Sequence, residues 1–109
     1  MSEHLPEHDW TRWQQLPPTL LNRYCESAVA NALASATRES SGHEKFMALY
    51  RFVDESNENI AIVFDNRRRS SALLQIAAAV IRGIISESEL KSFSEGTQER
   101  IRMIAGIGR

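Results

Sequence analysis

A chain of 109 residues, 42% hydrophobic and 25% charged, has the size and composition of one globular domain, which excludes a disordered chain and requires no metal staple. A formal net charge of −1 speaks against a protein built wholly around a polyanion, and the lone Cys25 excludes an intrachain disulfide. Of the 13 basic residues only Lys45 and Lys91 are lysines, and the remaining arginines suit forked contacts with carboxylates and phosphates.

The opening MSEHLPEHDW has neither a basic nor an apolar run, so no export signal is expected and the expected compartment is the cytoplasm. The chain should divide into an N-terminal segment, 1–17, and a helical domain, 18–109. Between Pro6 and Pro17, Glu7 to Leu16 can form a short helix in which Trp10 and Trp13 share a face. Two roles fit this pair. It clamps the segment onto the rest of the chain, or it anchors a partner protein, since tryptophan is frequent in interface hot spots.

Pro18 suits the first turn of a helix over 18–38. Leu21, Cys25, Ala28, Ala32 and Ser35 form one line along it, and Leu20, Tyr24, Val29, Leu33 and Ala36 broaden that line. Cys25, with apolar neighbours at helical spacing, reads as a buried thiol and not a nucleophile. After a turn at 39–42, Ser41 and Glu44 give a capping box for a helix over 43–65. Along it Phe46, Tyr50, Val53, Asn57, Ile60 and Phe64 follow at spacings of 4, 3, 4, 3 and 4, a heptad seam. An Asn in such a seam can set register or oligomeric state. Asn57 and Tyr50, at the same heptad position, are therefore candidate partner-binding residues, unless Asn57 simply faces water at a gap in the stripe.

Asp65 to Arg69 reads DNRRR. Asp65 or Asn66 should cap the next helix and place Arg67, Arg68 and Arg69 in its first turn. Cations there face the positive helix pole, at ~0.3–1 kcal/mol each. Either the acids Asp54, Glu55, Glu58 and Asp65 offset them, or they hold an external anion such as a nucleic-acid phosphate. The helix itself, Ala72 to Ile85, is apolar except at Gln75, Arg82 and Gly83. It is too short to span a bilayer. Other helices must therefore cover it on most sides, which makes it the centre of the fold.

Ser86 and Glu89 give a second capping box, with Leu90 and Phe93 supplying the inner side. Ser94 should cap a last helix, Glu95 to Ala105, with Ile101, Ile104 and Met103 inward. Gly106, Gly108 and Arg109 should form a frayed tail.

Chemistry is poorly marked. His4 and His8 are four apart but separated by Pro6, with no third ligand near in sequence. No zinc-protease, cysteine-pair or glycine-rich phosphate motif occurs, and no set of residues in catalytic roles stands out. Neither catalysis nor a metal or other cofactor is expected. The corner at Gly83 has the outline of a helix-turn-helix, but its second helix presents Glu87, Glu89 and Lys91 where a major-groove reader needs Arg, Lys, Asn or Gln.

The expected fold is all-α, a small orthogonal or up-down bundle of four to five helices with a short Trp-containing N-terminal helix. The expected action is protein–protein contact, with a partner or with itself, as a homodimer, adaptor or regulatory subunit, through Trp10, Trp13, Tyr50 and Asn57. Binding of nucleic acid or another anion through Arg67, Arg68 and Arg69 is the alternative. No membrane contact is expected.

Overall fold

The computed structural model describes residues 5–106. Among these the chain is all-α, with six helices and no strand. They are α1 (Glu7–Gln15), α2 (Pro17–Thr37), α3 (Gly42–Phe64), α4 (Arg69–Ile81), α5 (Glu87–Leu90) and α6 (Glu95–Ala105). His4, Gly108 and Arg109 lie outside the described residues. No described helix is long and apolar enough to cross a membrane.

Local chemistry sets most helix ends. Pro17 and Pro18 lack the amide donors that α1 would need to continue, and Leu16 alone separates it from α2. Both capping boxes form. At α3 the Glu44 amide donates to Ser41 Oγ (3.0 Å) and the Ser41 amide to Glu44 Oε1 (3.1 Å). At α5 Ser86 and Glu89 make the same reciprocal pair. The IAIVF run, Ile60 to Phe64, is the last turn of α3.

The central helix is shorter at both ends than its apolar run. Asn66 takes a left-handed conformation (φ 52°), so Asp65 to Arg68 form a loop. Neither Asp65 nor Asn66 caps α4. Its N-cap is Arg68, and of the three arginines only Arg69 lies in the first turn. At the other end Gly83 (φ 70°) closes the helix: its amide reaches the Val80 carbonyl, and the Ile84 amide reaches that of Ala79 (2.8 Å). This Schellman closure uses the freedom glycine has at positive φ, where it carries no Cβ to clash. Ile84 and Ile85 therefore lie beyond the helix, yet both are buried.

α4 is the axis of the core. Its Ala72, Leu73, Ile76, Ala77 and Ala79 pack with Leu5, Trp13, Leu16 and Leu20 on one side and with Leu90, Phe93 and Ile101 on another. Coverage is incomplete, however. Leu74 is 63% exposed and Ile81 is also mostly in water, with only Ala78 between them packed against the core. On α6 only Thr97 and Ile101 turn inward; Met103 and Ile104 are exposed.

The antiparallel pair α2–α3 joins the core only at its root, through Leu20, Tyr24, Val63 and Phe64. Beyond that the two helices pack on each other, around the buried Ala32 and Ala48. A hairpin projecting from a small head gives a molecule of 54 × 29 × 23 Å.

Candidate functional site

α3 carries two apolar stripes where most surface helices carry one. Ala48, Phe52, Ser56, Asn59 and Val63 form the more buried stripe, which faces α2. The heptad seam lies about a third of a turn round the helix from it. Since α2 already covers the first stripe, the seam is left facing outward: Phe46 is 65% exposed, Tyr50 59%, and Val53 similar. α2 contributes its own outward line, Val29 and Leu33, both more than half exposed.

Between these lines runs a groove of ≈ 300 Å³, walled by Cys25, Ala28 and Val29 on α2 and by Tyr50, Val53, Asn57 and Ile60 on α3. Asp54 is the charged residue on its wall. Nearly all of the lining is apolar. Cys25 is half-buried there, not fully buried as its neighbours suggest. Tyr50 and Asn57, singled out from the heptad, both lie on this face. Val29, Leu33 and Cys25 belong to it as well. Their signal was the unusual breadth of the α2 stripe, wider than one neighbouring helix can cover.

The root of the hairpin is tied firmly to the head. Arg23 makes a forked contact with Glu89 (2.9 and 2.8 Å) and donates to the Ile84 carbonyl (2.6 Å). The Arg23 contact, working against burial and helped by Ser86, brings the Glu89 carboxyl down to about 2. Arg82 donates to Asn59, and Asn59 to the Tyr24 hydroxyl. The groove therefore sits on a mount braced by ionic and polar contacts.

The tryptophans and arginines lie elsewhere, and mostly against one another. Trp13 is 0% exposed, so it has no surface to offer a partner. Trp10 is half-buried against the same core. The Arg67 guanidinium lies over the Trp13 ring, 5.7 Å from its centroid, and donates to the Trp13 carbonyl. Burial holds Arg67 below its ordinary pKa. Arg69 donates twice to the Leu5 carbonyl (3.0 and 2.7 Å) and pairs with Glu7. The offset for Arg67 and Arg69 is thus the N-terminal segment, and neither of the two alternatives that the sequence left open. Arg68 is exposed at the start of α4. Between these contacts the same segment is held by Asp9, whose carboxylate accepts from the Ser94 amide (2.8 Å) and from the Ser94 and Thr97 hydroxyls (2.6 Å each).

Among the described residues no group of three His, Cys, Asp or Glu is placed to hold a metal. No known protein family, no curated protein and no solved structure matches the chain.

Proposed function

We propose that this chain acts through protein–protein contact, as a homodimer, adaptor or regulatory subunit in the cytoplasm, and that the outer face of the α2–α3 hairpin makes the contact. The observation that carries this reading is the exposed seam of Phe46, Tyr50 and Val53 beside Val29 and Leu33. Contiguous apolar surface of that kind mostly marks an interaction site. In this reading the described part of the N-terminal segment, 5–17, is a structural strap with Trp13 as its clamp, and the bundle that follows carries the working surface. Tyr50 and Asn57 keep their partner-binding role, and Trp10 and Trp13 lose it. Anion binding at Arg67 to Arg69 is less favoured, because two of the three guanidinium groups already bond inside the chain. No catalysis is proposed.

The test is photo-cross-linking in cells that express the chain. A benzophenone amino acid in place of Tyr50 should give a covalent adduct of defined mass, lost when Val29→Glu is added across the groove. The same group at the exposed Ser70 should give none. No adduct at Tyr50, or equal adducts at both positions, refutes the reading.

A further inference from the structure

We propose that the occupant of the hairpin face is a second copy of this chain, docked antiparallel about a two-fold axis. This rests on the contact reading above and names the partner for it. Three properties of the face select a copy.

The first is area. Five mostly exposed side chains, Val29, Leu33, Phe46, Tyr50 and Val53, each offer roughly 100 Å² of accessible surface, given the size of such side chains. Two copies that bury these residues completely remove about 1,000 Å², the threshold for a biological contact, and Cys25, Ala28, Asn57 and Ile60 of the groove add to it.

The second is shape. Along the hairpin, Leu33 and Phe46 stand near the α2–α3 turn, while Cys25, Asn57 and Ile60 wall the groove nearer the head. An isologous contact needs one patch that complements itself. Antiparallel docking lays the apolar ridge of each tip over the groove of the other copy, twice. Parallel docking sets ridge on ridge and groove on groove. It also places the two heads side by side, whereas the antiparallel arrangement sends them to opposite ends.

The third is charge and spacing. The groove carries one charged side chain, Asp54, so the like charges that its lining brings together across the two-fold are a single pair of carboxylates. The seam repeats at 4 and 3, the spacing by which one helix seats its knobs in another of the same pattern. A copy brings that pattern with it.

Sedimentation equilibrium of the full chain tests this directly. The mass should rise to twice 12.3 kDa within concentrations up to ~200 μM, a range that reaches ordinary weak homodimers. Tyr50→Glu and, separately, Val29→Glu should weaken association ~100-fold while leaving the far-ultraviolet helical signal unchanged, since both sites are exposed. Orientation is read from spin labels at Ser40→Cys in a Cys25→Ser background. Antiparallel docking about an axis near Val53 places the two tips about 35 Å apart at 1.5 Å per residue, and parallel docking brings them together. A monomer throughout overturns the proposal, as does a dimer unaffected by both glutamates; closely spaced tips overturn its geometry. A monomer whose Tyr50 adduct has a foreign mass sinks the second copy and leaves the contact reading intact. A monomer with no adduct at all sinks both.

Discussion

Replacing Asp9 by alanine removes the carboxylate that caps a helix 85 residues away. Ser94, the N-cap of α6, makes no side-chain cap bond of its own, and Asp9 takes that place from α1. Alanine leaves the Ser94 amide and the hydroxyl of the buried Thr97 without this acceptor. Losing a cap costs about 1 kcal/mol. Hydrogen bonds to a charged acceptor are worth about 1.5–3 kcal/mol each and do not add fully. Together these give ~3 kcal/mol, or a fall in melting temperature of ~10–20 °C for a domain of this size. Asp9→Asn keeps the shape and one good acceptor, and should lose about half as much. Urea unfolding followed by circular dichroism and by tryptophan fluorescence measures both. The carboxylate also predicts a pH dependence. Burial pushes the Asp9 carboxyl up, but the bonds from Ser94 and Thr97 outweigh it and leave its pKa below the ordinary 3.8. A carboxyl lowered by folding contributes stability that is complete above its unfolded value and lost as pH falls through its folded one. The gap between wild type and Asp9→Asn should therefore hold at neutral pH and shrink below about pH 4. An alanine variant within about 0.5 kcal/mol of wild type would refute the idea that this carboxylate fastens α1 to α6.

Glu89→Gln should cost on the order of 1 kcal/mol at neutral pH, less than its full shift implies because Arg23 is nearly half in water. Its carboxyl falls from 4.5 to about 2 on folding, so that difference should fade as pH drops through this window; an unchanged difference at the acid end counts against the Arg23 contact. Arg67→Ala should shift tryptophan emission and cost about 1–2 kcal/mol, since it removes both the cation over the Trp13 ring and the bond to its carbonyl. Arg67→Lys keeps the charge but not the planar guanidinium, and full recovery by lysine would show that charge alone matters there.

The helices were legible because their signals are local. Ser41 with Glu44 and Ser86 with Glu89 each act within one turn of chain, so spacing alone reveals them. The candidate face was half legible. The α3 seam was plain in its 4 and 3 spacing, and Tyr50 and Asn57 came with it. That the seam points outward was not, because α3 has two apolar stripes and composition does not say which one α2 takes. The DNRRR loop misled for a related reason. Cations beside a helix start need an offset, but their partners proved to be the Leu5 and Trp13 carbonyls and Glu7, more than 50 residues back along the chain.

By itself, then, the sequence determined an all-helical chain, the approximate ends of most helices and an apolar run at residues 72–85 that had to be the core. Those follow from periodicity and from hydrogen bonds made within four residues. Only the tertiary structure decided which apolar stripe is buried, which aromatic is a clamp and which is on display, and where each buried charge finds its partner. Those outcomes depend on which surfaces meet in space, and pairs such as Asp9 with Thr97 or Arg23 with Glu89 leave no periodic trace for a reader of the chain to find.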